Sequence, residues 1–332
     1  MKQYIKILED ILEYGSTKTA ARENMPNTKS IFDREIRITD GSLPILMGKK
    51  VLTRNVISEL VWFLRGYTNI KFLHKYDNHI WDQDAYRYYL ERCGTMSFED
   101  WLEKVNNDTI ERYGNCGRIY GYQWRNQGRD NFESIVNFER RRPIDQIKNL
   151  LNGLINEPFS RYHIVDAWNW QDTKAMYQAL PACHNFFQCN VRETSKGVYK
   201  LDLSVWQRSC DMFLGVPYNL LSYGILHRLL CRITNYQVGV FTWHGGDCHI
   251  YENQVEAVNK YLDRLKHIKL PENNAQCIIS TAPFRYKDKP IEIIDDLLPD
   301  HISISNYNPL SFIGAPLSTG LKKEQHESKN KF

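Results

Sequence analysis

Apolar and polar positions along the chain predict helices near its start, and strands with one long helix in its second half. Residues 4–12 place apolar side chains at helical spacing, and residues 31–38, IFDREIRI, alternate as a strand does. Residues 51–66 form an apolar helical face that ends at Gly66. The segments RYHIVDAW, FFQCNV and YKLDLSVWQRS, from residue 161 onward, are strand-like, and an apolar helix is predicted over about residues 218–233.

Three stretches depart from these patterns. Residues 83–118 are less hydrophobic and rich in Tyr, Glu, Arg and Asn, which indicates a small helical excursion rather than core. The arginine run at residues 140–142 is typical of a solvated turn before Pro143. The C-terminal sequence LKKEQHESKNKF is polar and is expected to be disordered.

Composition narrows the class of protein. The 332 residues are 42% hydrophobic and 13% aromatic, enough for one large or two ordinary domains with a substantial core. A net charge of +4 is too small for a protein that coats nucleic acid, although it suits a pocket for an anion. No stretch approaches the roughly 20 apolar residues of a membrane span, and the N-terminus lacks the apolar run of a signal peptide.

Cysteine usage indicates a reducing compartment. The eight cysteines lack CxxC pairs and metal-ligand spacing, in a chain too long to need disulfides: Cys93, Cys116, Cys183, Cys189, Cys210, Cys231, Cys248 and Cys277. We expect free thiols in a cytoplasmic protein.

Two residues are candidates for chemistry. Glu59 lies beside the apolar face of a helix, so it is either paired with a basic group or directed at a site. Cys183 precedes a strand-like run and is followed by His184; by itself this pair is more typical of a buried, inert cysteine. A nucleophilic thiolate needs a nearby positive charge, and Arg208 with Ser209 supplies anion-binding groups 25 residues later.

Two further segments could bind a nucleotide. Asn219 follows a predicted tight loop and could cap a helix, or its amide could match the adjacent N3–H and O4 of a pyrimidine. His249 and Tyr251 would share one face of a strand. A metal site at His249 and Asp247 lacks a third ligand at convincing spacing, so no metal is expected.

Together, PACHNFFQ, QRSCDMFLGVPYN and GGDCHIYEN closely resemble the thymidylate synthase family. The resemblance extends to MKQY…ILEYG, ELVWFLRGYTNI, HIWD, RIYGYQWR and SRYHIVDAWN, and so spans almost the whole chain. It implies an α+β fold, a mixed sheet flanked by helices, in a homodimer. It further implies one catalytic domain over residues 1–316 with a small-domain insertion at 83–118, and a polar tail at 317–332.

The resemblance also implies an activity: transfer and reduction of a one-carbon unit from 5,10-methylenetetrahydrofolate to C5 of dUMP, giving dTMP and dihydrofolate. Cys183 would add to C6 of the uracil ring, which activates C5. Glu59 would relay protons, Tyr120 with His184 would assist removal of the C5 proton, and Arg208 would lower the thiol pKa. The implied catalytic set is Cys183, Glu59, Tyr120, His184, Arg208 and Asp211.

Binding residues follow from the same resemblance. The implied dUMP ligands are Arg22, Arg161, Gln207, Arg208, Ser209, Gly215, Asn219, His249 and Tyr251. The implied folate contacts are Trp81, Leu180, Asp211 and Gly215. Arg161 would come from the partner subunit, which makes dimerisation obligatory for activity. Neither nucleic acid nor membrane is expected as a partner.

Departures from the family pattern leave the product open. The loop AARENMPNTKS keeps only Arg22, Tyr162 replaces an arginine, Asp84 replaces a tryptophan, and the chain continues for sixteen residues beyond Pro316. A looser folate clamp would admit water, which would yield a 5-hydroxymethyl product in place of methyl. Deoxyuridylate hydroxymethylation is therefore the main alternative, and cytidylate hydroxymethylation is less favoured. A non-catalytic nucleotide-binding relative is disfavoured by the intact catalytic set.

Overall fold

The computed structural model describes residues 1–20, 22–92, 94–107, 111–128, 143–174, 176–284 and 289–321. Cys93, the arginine run at 140–142 and the tail from residue 322 lie outside these ranges. The helices are α1 Lys2–Tyr14, α2 Thr53–Leu64, α3 Lys71–His74, α4 Asp82–Arg92, α5 Phe98–Asn107, α6 Tyr120–Asn126, α7 Gln146–Asn156, α8 Trp170–Lys174, α9 Gly215–Thr234, α10 Val255–His267 and α11 Pro290–Asp295. The strands are β1 Ser16–Lys18, β2 Thr28–Ile38, β3 Ile164–Asp166, β4 His184–Ser195, β5 Val198–Asp211, β6 Gln237–Tyr251, β7 Gln276–Ile279 and β8 Ile302–Ser305.

Six strands form one mixed sheet in the order β1-β2-β6-β5-β4-β3. The β5 and β6 pair is parallel, and every other neighbouring pair in this sheet is antiparallel. The parallel pair requires a crossover connection, which α9 provides. The expected α+β fold with a mixed sheet and flanking helices is confirmed.

One face of this sheet is covered and the other is more open. Along β5, Leu201, Leu203 and Val205 are buried and alternate with partly exposed residues, as expected for a sheet with one packed face. Helix α9 packs against β5 and β6, and α2 packs against α9. On the opposite face, the rings of Phe186 and Trp206 stack at 4.4 Å across β4 and β5.

The long helix α9 begins earlier than the sequence pattern predicts. Gly215 and Pro217, expected in a tight loop, form its first turn, and Asn219 lies inside the helix rather than capping it. Proline is tolerated there because the first helical N–H groups have no partner within the helix. The Asp211 carboxylate accepts hydrogen bonds from the N–H groups of Phe213 and Leu214 just before the helix, at 3.1 and 3.0 Å.

The segment expected to be an excursion is part of the core. Trp101 and Val105 of α5 are fully buried, and Tyr86 of α4 contacts the Trp101 ring at 5.2 Å. Low hydropathy misled the prediction because tyrosines bury their rings while their hydroxyl groups find polar partners; Tyr86, for example, donates to the Met96 carbonyl at 2.8 Å.

The beginning of the predicted tail is also packed. Thr319 and Leu321, placed in the polar tail by the sequence analysis, are 3% and 5% exposed. Over the described ranges, no helix combines the length and apolar character needed to cross a membrane.

Candidate active site

A cavity of about 670 Å³ lies where the ends of β4, β5 and β6 meet the start of α9. Nearly every candidate site residue identified from the sequence lines this cavity. Those lining it are Arg22, Glu59, Trp81, Tyr120, Leu180, Cys183, His184, Gln207, Arg208, Ser209, Asp211, Gly215, Asn219, His249 and Tyr251. Arg161 is the exception: it is exposed outside the cavity, and its carbonyl accepts a bond from the Gln188 amide at 3.3 Å.

Cys183 sits immediately before β4, so the sheet fixes its backbone. The Arg208 N–H donates to the Cys183 carbonyl at 2.8 Å, and the Cys183 N–H donates to the Tyr120 hydroxyl at 2.7 Å. Burial raises the pKa of the thiol, although the positive charge of Arg208 acts in the opposite direction. Arg208 therefore acts on the thiol pKa in the expected direction, but in the free chain desolvation outweighs it.

The Arg208 side chain is held against the loop that carries Cys183. Its guanidinium donates to the carbonyls of Ala182 and Pro181 at 2.9 and 3.1 Å. It also lies over the Trp168 ring, 4.9 Å from the ring centre. Arg208 itself is exposed, so the remaining guanidinium donors face open space where an anion could bind.

Glu59 is a buried carboxyl group without a basic partner among the described residues. It is 8% exposed, and its Oε1 accepts a hydrogen bond from the Trp81 indole at 2.6 Å. Burial raises the pKa of Glu59 to about 7, against the opposing effect of the Trp81 bond. The carboxyl can therefore both give and take a proton near neutral pH.

Tyr120 and His184 form a stacked pair at the cavity wall. Their rings are 4.1 Å apart with planes inclined by 18°. The Nδ1 of His184 is 2.8 Å from the Tyr223 hydroxyl, and burial lowers the pKa of His184 to about 3. The imidazole is thus neutral at physiological pH.

A chain of amide hydrogen bonds fixes Asn219. The Trp243 indole donates to Gln207 Oε1 at 2.9 Å, which leaves Gln207 Nε2 to donate to Asn219 Oδ1 at 3.0 Å. The amide N–H groups of Asn219 and one lone pair of Oδ1 therefore remain for a ligand. This pattern matches the N3–H and O4 edge of a uracil ring.

His249 and Tyr251 project together from the end of β6, as the strand pattern predicts. Their ring centres are 5.0 Å apart, and His249 Nδ1 faces the Asp247 carboxylate at 3.2 Å. That contact, with Lys18 beside it, lowers the pKa of Asp247 to about 2. A side chain at Gly246 would press against the Arg208 backbone at 3.1 Å, so the glycine permits close approach of the two strands.

The part of the cavity lined by Asp211, Asp84, Arg87 and Lys49 carries both acidic and basic groups. Asp211 Oδ2 accepts from the Gln254 amide at 3.1 Å, and Gln254 is fully buried. Asp84 pairs with Arg87 at 3.0 Å, and burial raises the pKa of the Asp84 carboxyl. Lys49 donates to the Phe213 carbonyl at 2.5 Å, and burial lowers its pKa to about 7.

The C-terminal segment, residues 315–321, crosses this end of the cavity. Ala315, Leu317 and Ser318 line it. The Thr319 hydroxyl donates to Gln83 of α4 at 3.0 Å, and Asn253 donates to Ser318 at 3.3 Å. Leu317 and Ser318, beyond Pro316, therefore form part of the wall.

Sequence reasoning missed Lys49, Tyr223, Gln254 and the C-terminal segment. Tyr223 lies four residues after Asn219 on α9, a spacing that could have identified it. Lys49 and Gln254 gave no local signal, because their burial depends on elements distant in sequence. The seven cysteines in the described ranges are free thiols, and only Cys183 lines the cavity.

Comparisons with known proteins show the family of this chain. A profile of the family described as "Thymidylate synthase" matches residues 2–319. A thymidylate synthase of Mycoplasma mobile is 38% identical over 304 residues, covering 89% of this chain and 96% of that protein. A thymidylate synthase of Listeria monocytogenes is 34% identical over 344 residues, covering 96% of this chain and all of that protein. One of Mesoplasma florum is 34% identical over 302 residues, covering 88% of this chain and 95% of that protein. The chain belongs to the thymidylate synthase family, folate-dependent transferases of nucleotide biosynthesis that bind dUMP and use methylenetetrahydrofolate.

Proposed function

We propose that this chain is a thymidylate synthase that converts dUMP and 5,10-methylenetetrahydrofolate into dTMP and dihydrofolate. The observation that carries the proposal is the convergence of Cys183, Glu59 and Asn219 on one cavity. A nucleophile, a proton relay and a base-reading amide are the groups that addition to C6 and substitution at C5 of uracil require.

The nucleotide end of the cavity fits dUMP. Arg208 and Ser209 offer donors to a phosphate, with Arg22 on the same wall. His249 and Tyr251 offer partners for a 3′-hydroxyl, and Asn219 presents the donor and acceptor pair that uracil needs.

The folate end offers a stacking surface and an acidic partner. Trp81 and Leu180 supply apolar surface, and Asp211 supplies an acceptor for the N–H groups of a pterin ring. Bound methylenetetrahydrofolate would supply the one-carbon unit and then a hydride.

The residues divide the reaction between them. The Cys183 thiolate adds to C6, and Asn219 stabilises the enolate-like charge that develops at O4. The negative charge of the bound phosphate and the positive charge of Arg208 act in opposite directions on the pKa of the Cys183 thiol. Glu59, with a pKa of about 7, relays protons through water, and neutral His184 with Tyr120 assists loss of the C5 proton. Cys183 leaves as the product forms, which regenerates the free thiol.

A second candidate function is deoxyuridylate 5-hydroxymethylation, in which water quenches the C5 methylene. The Asp84–Arg87 pair in the cavity wall favours it, because charged side chains hold water at the folate end. The C-terminal segment favours the synthase, because Leu317 covers the same end with apolar surface.

A single incubation separates these functions. The full chain is supplied with dUMP and methylenetetrahydrofolate, and the nucleotide mass and the folate product are followed together. A methylated nucleotide with dihydrofolate supports the synthase. A nucleotide heavier by a hydroxymethyl group, with tetrahydrofolate, would instead establish hydroxymethylation, and an unchanged nucleotide would refute both.

Activity is further proposed to require a homodimer. The open sheet face, with the Phe186 and Trp206 stack, offers an apolar surface for a second copy, and Arg161 is exposed and free to reach a partner's phosphate site. Mixing inactive Cys183→Ser with inactive Arg161→Ala should restore activity in mixed dimers, because one site of such a dimer regains both residues. A mixture that stays inactive after confirmed subunit exchange would refute a shared site.

A further inference from the structure

A second cluster of chemical groups lies outside the cavity, in the turn between α3 and α4. His74 ends α3, His79 lies in the turn, and Asp82 begins α4. Nε2 of His74 is 2.7 Å from Asp82 Oδ1, and Nδ1 of His79 is 2.8 Å from Asp82 Oδ2. One ligand atom from each residue lies within 4.8 Å of the other two.

The outer nitrogen of His74 has a hydrogen-bonded oxygen partner, and that of His79 lies near a carboxylate. His74 Nδ1 lies 2.8 Å from Asn106 Oδ1, and His79 Nε2 lies 3.8 Å from an Asp77 carboxylate oxygen. In the metal-free chain the inner nitrogens donate to the Asp82 carboxylate; a metal ion would replace these protons, and the proton of each neutral ring would then lie on its outer nitrogen, beside an oxygen acceptor. Metal-binding histidines are oriented in this way by outer-shell carboxylate or carbonyl groups.

The turn is rigid before any ligand binds. Asn78 is fully buried, and its amide donates to the Asn55 carbonyl at 3.0 Å and to the Ser58 hydroxyl at 2.9 Å. These bonds tie the turn to α2. The side chains of His74 and Asp82 are each 8% exposed, whereas that of His79 is 47% exposed, so the cluster is closed on one side and open to solvent on the other.

We infer that His74, His79 and Asp82 form a binding site for one divalent transition-metal ion of the Zn²⁺ class. Two imidazole nitrogens and one carboxylate suit Zn²⁺ and its relatives, whereas Mg²⁺ and Ca²⁺ require oxygen ligands. Tetrahedral ligands at zinc distances stand roughly 3.3 Å apart, so the two His–Asp distances of 2.7 and 2.8 Å need to lengthen by about half an ångström. Water completes the coordination at the open side, next to His79.

The position gives the metal a structural role. Asp82 directly follows Trp81, whose indole donates to Glu59 at 2.6 Å. A metal that holds Asp82 therefore stiffens the turn that presents Trp81 to the cavity. In the sequence, only His249 and Asp247 suggested a metal site; HIWD places His79 and Asp82 three residues apart, and His74 joins them only through the turn.

Cobalt titration of the chelator-treated full chain tests the site. We expect one Co²⁺ per chain, with visible d–d bands of nitrogen and oxygen ligation and without the thiolate charge-transfer band of a cysteine ligand. His79→Gln should weaken binding by at least about 10-fold, since a ligand is lost. His267→Gln is the matched control, because His267 is an exposed histidine that faces Asp263 on α10.

Thermal unfolding supplies a second readout that is independent of catalysis. Zn²⁺ should raise the Tm of the wild type and of His267→Gln but not that of His79→Gln. Absent uptake, equal binding by His79→Gln, or a thiolate band would each overturn the inference. Because neither readout involves dUMP or folate, the result is separate from that of the proposed function.

Discussion

The two ends of the cavity are built differently. The nucleotide end, defined as Cys183, Gln207, Arg208, Asn219 and His249, stands on adjoining strands and the first turns of α9, and its groups are held by sheet pairing and short hydrogen bonds. The folate end, defined as Trp81, Leu180, Asp211, Asp84, Arg87, Leu317 and Thr319, draws mainly on α4, the turn before it and the C-terminal segment. Strand pairing at the nucleotide end preorganises the chemistry, whereas the C-terminal segment is held by side-chain hydrogen bonds to separate elements, such as Thr319 to Gln83 and Asn253 to Ser318.

The largest expected effect comes from the nucleophile at the nucleotide end. Cys183→Ser should reduce turnover on the order of 10⁴-fold, because an alkoxide is far harder to form than a thiolate in a buried site. Tritium release from C5 of labelled dUMP measures the step. Cys277→Ser, a half-buried cysteine on β7, is the control and should stay near wild type. Comparable release by both variants would contradict covalent catalysis by Cys183.

Glu59 links the two ends, and its replacement should have the next largest effect. Glu59→Gln keeps the Trp81 contact but cannot relay a proton, so kcat should fall about 10²-fold to 10³-fold. Steady-state kinetics measures it, with Glu103→Gln on the exposed side of α5 as control. A loss below tenfold would exclude a proton relay through this carboxyl.

The same variant tests the raised pKa through stability. The native state holds the Glu59 proton up to a pKa of about 7, whereas the unfolded chain loses it near the usual value of 4.5. The free energy of unfolding of the wild type therefore falls as pH rises between these two values. Glu59→Gln lacks this loss, and it should therefore gain relative stability from pH 5 to pH 8, by roughly 2.5 kcal/mol. Urea unfolding at the two pH values measures the difference. A constant difference would show that burial does not shift this carboxyl.

A change at the base-reading amide should have a smaller effect on activity and a distinct effect on specificity. Asn219→Asp keeps the acceptor for Gln207 but loses the donor for O4, so kcat/KM for dUMP should fall about 100-fold. Turnover of dCMP should increase, because the cytosine amino group needs an acceptor. Asn190→Asp, exposed on β4, is the control. An unchanged ratio of dUMP to dCMP turnover would show that Asn219 does not recognise the base.

The smallest expected effect lies at the folate end. Thr319→Val removes the hydrogen bond to Gln83, so the KM for methylenetetrahydrofolate should rise about 3-fold to 10-fold while the dissociation constant of dUMP stays constant. Thr234→Val, which removes a hydroxyl that bonds within α9, is the control. An equal rise for both nucleotide and folate would mean that the C-terminal segment acts on the whole fold and not on the folate end.

The nucleotide end could be predicted from the sequence because its residues belong to short, continuous motifs. Cys183 and His184 are adjacent, and Gln207 through Asp211 follow one another along β5. Strand geometry then determines which of them share a face. The start of α9 was misplaced because Gly215 and Pro217 are typical of turns as well as of first helical turns.

The folate end could not be predicted in the same way. Thr319 meets Gln83 across 236 positions of sequence, and Lys49 meets Phe213 across 164. Such contacts have no local sequence pattern. The polar composition after Pro316 predicted disorder, although Thr319 and Leu321 are buried. The shifted pKa values of Glu59 and Lys49 likewise depend on burial, which only the assembled fold reveals.

Trp243 gives the hydrophobic core a part in substrate choice. Its ring is fully buried, yet its N–H and the Ser209 carbonyl, which accepts from Gln207 Nε2 at 3.0 Å, together set which way the Gln207 amide points, and so which atoms Asn219 can offer to a ligand. Replacing this indole by another aromatic ring would leave the apolar packing largely filled while removing one of the two bonds that orient this amide. Under the proposed function, selectivity for one base would therefore depend in part on a side chain that lies beneath the binding surface.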